Sequence, residues 1–351
     1  MSNKAMHRLL NANKAILADG RFGSTDGGPS SLKEFVRKFP TRFYNAVFTP
    51  MGRKNFFYFI KRQRVKLNPD YRQHGTMAYL LKNGNSFVLH RGNQLSELVF
   101  LEGAYEPLES QIVSKVVQRN DVVLDCGANV GYFSALLDRL VKPGGQVHSF
   151  EPGAGTFTKL EQTKELLHLD RSSLHPLAVG SAVGEIDFWS STTGSDAQQM
   201  TVKCAALGRH LRHEKVAATT LDAFAAELKK QGVDRIAFVK CDIEGAETAM
   251  LKGAAGLLRS EHPPIWLIEH NRTALIDQGA ASSDLLAHFA GCDIYFVPLC
   301  WPPSEMAAPQ AAKWNGQPDA LPDECNLIVF PTRGVHAQRA AALKQSGLLA
   351  C

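Results

Sequence analysis

At 351 residues, with 44% hydrophobic and 21% charged side chains, the chain has the size and composition of a globular protein that can bury a substantial core. No uncharged apolar run approaches the roughly 18–20 residues that span a bilayer, and the seven cysteines, scattered and without a Cys-x-x-Cys pair, argue against a disulfide framework or a zinc site. The net charge of +5 divides unevenly, since residues 1–75 hold 15 Lys/Arg against 4 Asp/Glu while the remainder holds 24 against 30.

The opening stretch, MSNKAMHRLLNANKAILADGRFGS, carries a Lys inside its one apolar patch and does not read as a secretory signal, so a cytoplasmic protein is expected. Residues 20–31, rich in Gly and Ser, read as a linker or loop. Over residues 33–66 cationic and aromatic side chains alternate. This segment reads first as a helical lid with solvated charges, next as a surface for anionic membranes, and least as a nucleic-acid contact. Two short strands are expected around the turn Asn83-Gly84-Asn85.

From about Pro107 strands alternate with helices, the pattern of a parallel, Rossmann-like α/β sheet covered on both faces. The expected strands are DVVLDC, GQVHSFE, SLHPLAV, RIAFVKCDI, PPIWLIEH, DIYFVPL and CNLIVFP. Helices are expected over EPLESQIVSKVVQR, TLDAFAAELKKQG and ETAMLKGAAGLLRS, with an extra strand or crossover between GEIDFWSST and KVAATTLDAF.

The first strand runs into Asp125-Cys126-Gly127-Ala128-Asn129-Val130-Gly131 and then a helix. A dinucleotide loop places three glycines as Gly-x-Gly-x-x-Gly around a pyrophosphate. Here the middle glycine is missing and an acid ends the strand, which suits a cationic ligand without phosphate. S-adenosylmethionine is such a ligand: Gly127 and Gly131 would let the backbone turn under its amino-acid end, with Asp125 near the ammonium. Glu151, 20 residues beyond Gly131, ends the next strand, where a carboxylate can accept from both ribose hydroxyls. NAD enzymes share that last feature, so Glu151 alone does not separate the two cofactors.

The segments VVLDCGANVGYFS, HSFEP, HPLAVG, TTLDAF, FVKCDIEGAETAMLKGA, IWLIEH and CNLIVFP, in this order, resemble FkbM-type S-adenosylmethionine-dependent methyltransferases over roughly residues 100–332. The resemblance implies a seven-stranded class I methyltransferase sheet with a reversed final hairpin. It also implies methyl transfer to oxygen, typically a hydroxyl of a sugar, polyketide or related metabolite. In that layout Ala178, after the third strand, borders the adenine.

Ligands of open α/β sheets bind beyond the carboxyl ends of the strands, which brings together residues 125–131, 151–153, 240–245 and 269–271. Cofactor contacts are expected from Asp125, Gly127, Ala128, Asn129, Gly131, Glu151, Pro152, Ala178 and Asp242. On an extended strand Lys240, Asp242 and Glu244 would share one face. An alcohol acceptor must lose its proton during attack. Asp242 and His270 are the two candidate bases, Lys240 keeps neighbouring carboxylates ionised, Glu244 or Glu269 would orient these catalytic groups or bind acceptor hydroxyls, and Asn271 is a further candidate for binding the acceptor. Asp242, Glu244 and Glu269, with or without His270, could instead hold a hard cation, although nothing in their spacing demands a metal.

The chain therefore divides into a basic, aromatic N-terminal α+β extension over residues 1–95, a methyltransferase domain over residues 96–335 and a tail over residues 336–351. The expected function is an S-adenosylmethionine-dependent O-methyltransferase acting on a small molecule or glycan. An RNA-ribose methyltransferase, an NAD-linked oxidoreductase and a catalytically silent binding protein are the alternatives. Peripheral membrane contact and a homodimer stay open.

Overall fold

The computed structural model describes residues 65, 67–81, 84–191, 199–200, 211–298 and 310–350. All lie in one compact unit that begins at Arg62, so the basic aromatic stretch expected to act as lid or membrane surface falls, apart from Val65, outside the described residues. No helix among the described residues is long and apolar enough to cross a membrane.

A short helix α1 (Pro69–His74) leads into the antiparallel hairpin β1 (Thr76–Leu80) and β2 (Ser86–His90), followed by α2 (Gln94–Glu102) and α3 (Pro107–Val116). The chain then builds β3 (Val122–Cys126), α4 (Tyr132–Val141), β4 (Gln146–Phe150), α5 (Ala154–Leu167) and β5 (Ser172–His175). A smaller sheet follows, made of β6 (Ala178–Val179), β7 (Gly184–Ser191), β8 (Gln199–Met200) and β9 (Leu211–Thr219). The extra strand or crossover expected there is in fact a β7–β9 antiparallel pairing running from Gly184↔Ala218 to Ser191↔Leu211.

The rest of the main sheet alternates with helices: α6 (Leu221–Lys230), β10 (Phe238–Cys241), α7 (Glu247–Lys252), α8 (Ala255–Arg259) and β11 (Ile265–Asn271). After α9 (Arg272–Asp277), α10 (Ser282–Ala287), β12 (Asp293–Pro298), β13 (Ala312–Lys313) and β14 (Glu324–Phe330), the chain closes with α11 (Arg339–Gln345). The order across the sheet is β13-β12-β14-β11-β10-β3-β4-β5. β11, β10, β3, β4 and β5 run parallel, and β14 is inserted antiparallel between β11 and β12. This is the class I methyltransferase arrangement with its reversed hairpin. The sheet has eight strands instead of the expected seven because the two-residue β13 pairs on the outer edge of β12.

Alternation along the strands explains why both faces are apolar. Val123, Phe238, Ile265 and Ile328 point into one core with Ile112, Phe133 and Leu136, while Leu124, Val239, Trp266 and Leu327 point into the other with Leu221, Met250 and Leu285. The β1–β2 hairpin and α2 contribute Phe87, Leu89 and Val99 to the first core, so residues from 76 onward pack with the sheet domain. At the other end Leu343 and Leu349 join the same core, and Arg339 makes a two-pronged ion pair with Asp121 at 2.6 and 2.9 Å.

Candidate active site

The loop from β3 to α4 is set by glycine geometry. Gly127 has φ +77°, and a Cβ there would stand 1.8 Å from the Asp242 carbonyl oxygen, so the loop lies directly against the end of β10. Gly131, with φ +92°, begins α4, where a Cβ would meet Leu160 at 2.8 Å. The Gly127 and Ala128 N–H groups both donate to the Phe150 carbonyl, tying the loop to β4. Asn129, in the left-handed region at φ 49°, turns its N–H onto Glu151 Oε2 at 3.1 Å, and the Gly153 N–H donates to Glu151 Oε1 at 2.8 Å.

These elements open onto a cleft of about 230 Å³ at the carboxyl ends of the parallel strands, lined from one side by Gly127, Asn129, Glu151, Pro152 and Ala178 and from the other by Asp242, Glu244 and Glu269. Eight of the residues expected at the site therefore meet in one cavity. Its floor and walls are completed by apolar groups, Leu177, Val179 and Phe188 near Ala178 and Leu95, Leu98 and Tyr105 from the chain ahead of β3.

Other expectations are corrected. Asp125 does not face the cleft: it is fully buried, accepts from Ser134 Oγ at 2.6 Å and lies beside Lys240 in the β3–β10 register. It sits behind the glycine loop, where burial raises its pKa and Lys240 counters that rise. Ala128 and Gly131 shape the loop without lining the cleft. Lys240, 5% exposed, does not line it either but supports it, with Nζ 3.1 Å from Asp242 Oδ2 and 3.4 Å from the Gly127 carbonyl. Its pKa rises far above the ordinary value because Asp242, Asp125 and Glu106 together outweigh the cost of burial.

His270 is the largest displacement from expectation. Neighbours on a strand point to opposite faces, so Glu269 enters the cleft and His270 enters the core behind it. There it is wholly buried, with Nε2 2.7 Å from Ser282 Oγ and Nδ1 3.7 Å from Cys325 Sγ. Burial and the nearby Arg272 lower its pKa, so it is a neutral packing group. Asn271 caps α9, accepting from the Ala274 N–H at 3.0 Å, and points no side chain into the cleft. Glu244 reaches the cleft, but not by strand alternation: β10 stops at Cys241, and Glu244 sits on a turn at φ 57°. Glu247, whose Oε1 accepts from the Ile243 N–H at 3.0 Å, holds that turn.

An acidic group that sequence reasoning missed lies behind the cleft, outside its lining. Glu106, at the start of α3, has φ 43° and ψ 64°, and its carboxyl interacts with Glu109, Asp242 and Lys240. Glu109, 1% exposed, accepts from Asn326 Nδ2 at 3.0 Å. Burial first, then the neighbouring carboxylates, push Glu106 up to about 8 and raise Glu244 and Glu269 well above the ordinary carboxylate range. Burial likewise lifts Glu151 to about 7, partly offset by its two backbone hydrogen bonds. Among the described residues no three His, Cys, Asp or Glu side chains are grouped to hold a metal ion.

Residues 125–293 match the family described as the methyltransferase FkbM domain. No curated protein matches the chain. Among solved structures, a methyltransferase FkbM from Methylobacillus flagellatus KT is 17% identical with a TM-score of 0.35, the match covering 84% of this chain and 60% of that one. An S-adenosylmethionine-dependent O-methyltransferase from Thermotoga maritima is 9% identical (TM-score 0.39; 78% and 97% covered), and an rRNA methylase from Streptococcus thermophilus is 11% identical (TM-score 0.34; 63% and 93% covered).

Proposed function

We propose that this chain, which carries a methyltransferase FkbM domain over residues 125–293, transfers the methyl group of S-adenosylmethionine to a hydroxyl oxygen of a small molecule or glycan. The observation that carries this reading is the shared cleft. A ribose-type carboxylate, Glu151, and a candidate base, Asp242, face the same cavity from opposite sides of the glycine loop.

The residues present suit the cofactor. Each Glu151 oxygen accepts one backbone N–H, which leaves lone pairs for two ribose hydroxyls. Leu177, Ala178, Val179 and Phe188 offer an apolar slot for a flat base, and the Gly127 backbone reaches the cleft with no side chain in the way. When bound, S-adenosylmethionine supplies a methyl group activated by a positively charged sulfur. Asp242, aimed by its 3.1 Å contact with Lys240, takes the proton of the acceptor hydroxyl as that oxygen becomes nucleophilic. The apolar walls from α2 and Tyr105 exclude water from the attack line.

Thermal unfolding with and without S-adenosylmethionine, S-adenosylhomocysteine and NAD tests the assignment. A ligand at 100 times its dissociation constant adds about 2.7 kcal/mol. Stabilisation by both adenosyl compounds, lost in Glu151→Ala, is expected; stabilisation by NAD alone would overturn the reading.

A further inference from the structure

We infer that a second cavity, at the end of the sheet away from the cleft, binds a small molecule that joins a flat apolar body to an anionic head, with Arg259 and Arg333 holding the anion. The site is separate from the cofactor cleft and stands whether or not the chain transfers a methyl group.

β11 reaches both places. Glu269, near its carboxyl end, lines the cleft, whereas Trp266, near its amino end, lines a cavity of about 300 Å³. Three residue steps separate the two, about 10 Å along an extended strand, and they point to opposite faces. The cavity is framed by the end of α8, the Pro263-Pro264 step before β11, the loop from α10 to β12 and the residues that follow β14. These walls are tied to one another. Thr332 Oγ1 donates to the Gly291 carbonyl at 2.8 Å, and Arg333 Nη2 donates to the Leu258 carbonyl at 3.2 Å.

The interior is apolar. Pro263, Pro264, Trp266 and Phe289 are buried, and the two aromatic rings meet edge to face with centroids 5.9 Å apart. The rim carries charge of one sign. Arg259 and Arg333 are exposed, no Asp or Glu lines the cavity, and neither arginine makes an ion pair within 4.0 Å of a carboxylate among the described residues. His288, also in the lining, is held neutral, since burial, Lys252 and Arg259 lower its pKa. The acids that act on His288 and Cys292 are engaged elsewhere: Asp284 accepts from the Ala281 N–H at 2.8 Å, and Asp293 pairs with Lys313 at 3.6 Å.

A guanidinium without a carboxylate partner has donors to offer, and its planar fork matches the paired oxygens of a carboxylate or phosphate. A bare anion would leave the apolar interior unused, and an uncharged ring would leave both arginines unpaired. A ligand with both parts uses the whole lining. The cofactor cleft has the opposite sign, lined by Glu151, Asp242, Glu244 and Glu269 with no Lys or Arg, so an anion is directed to the second cavity and away from the first.

Titration calorimetry on the full chain at low ionic strength, with and without S-adenosylhomocysteine, tests this with phenyl phosphate, phenylacetate, inorganic phosphate and benzyl alcohol. We expect at least one of the two ring-bearing anions to bind about tenfold or more tighter than inorganic phosphate and benzyl alcohol, about 1.4 kcal/mol. The tighter of the two identifies the head as phosphate or carboxylate, and the ranking should be the same with the cleft filled. Replacing both arginines, Arg259→Leu with Arg333→Leu, should cost that anion about tenfold and leave S-adenosylhomocysteine affinity within about twofold. Ala290→Trp, at an exposed position of the lining, should block the same binding without touching a charge. Binding of neither anion tighter than about 10 mM, affinity no better than that of inorganic phosphate or benzyl alcohol, or unchanged affinity in either variant would overturn the inference.

Discussion

Replacing Lys240 with Met keeps the length of the buried stem and deletes the one charge that faces Asp125, Asp242 and Glu106. Lys240 is 5% exposed, with Nζ 3.1 Å from Asp242 and 5.4 Å above the Phe133 ring. Breaking a buried pair from one side typically costs about 3–5 kcal/mol. A buried acid can limit that loss by taking a proton. For Asp125, with an ordinary pKa of about 3.9, protonation costs about 2 kcal/mol at about pH 5.5 and about 5 kcal/mol at about pH 7.5. The folded pKa of Lys240 is raised, so its contribution is complete below its ordinary value and does not titrate between those two pH values. The pH dependence comes from Asp125 and Glu106, whose folded pKa values are already raised: without Lys240 they climb further above the unfolded ones, and stability drains away as pH rises. Guanidinium unfolding followed by circular dichroism should give a loss of about 3–5 kcal/mol near pH 7.5 and about 2 kcal/mol or less near pH 5.5. A loss below about 1 kcal/mol near pH 7.5, or one of equal size at both pH values, would refute the view that Lys240 neutralises this cluster.

Gly127→Ala should cost at least about 3 kcal/mol and weaken S-adenosylhomocysteine binding tenfold or more, because the new methyl meets the Asp242 carbonyl from a left-handed backbone; unfolding and titration measure both, and a loss under about 1 kcal/mol would contradict the packing described. His270→Ala should cost about 2–4 kcal/mol through its lost packing and its hydrogen bond to Ser282 while leaving S-adenosylhomocysteine affinity unchanged. A variant of ordinary stability with more than hundredfold lower transfer activity would return His270 to the role of base.

Much of the sheet was legible because its strands are short apolar runs bounded by Gly, Pro or charge, and β3, β4, β10, β11, β12 and β14 lie where those runs stand. The glycine loop and Glu151 were legible for the same reason, being fixed by local spacing. Parity along β11 was also written in the sequence: Glu269 and His270 are consecutive, so one strand could not send both into the cleft. Glu244 misled because the strand was read two residues too far, past the point where the turn held by Glu247 begins. Glu106 and Glu109 carried no local mark. They belong to an ordinary amphipathic helix, and only the docking of α3 beside β14, with Glu109 bonded to a residue 217 positions away, buries them behind the cleft.

That long-range contact has both its ends outside the matched segment. The segment matching the FkbM domain, residues 125–293, contains the glycine loop, Glu151, Ala178 and Asp242, whereas Tyr105, Glu106, Glu109 and Asn326 lie outside it on either side. The family match over residues 125–293 thus takes in the glycine loop and Glu151 and leaves α3 and β14 outside it. The Glu109–Asn326 bond ties α3 to β14 across 217 positions, so a substitution at either residue is felt at the other although neither belongs to the matched segment.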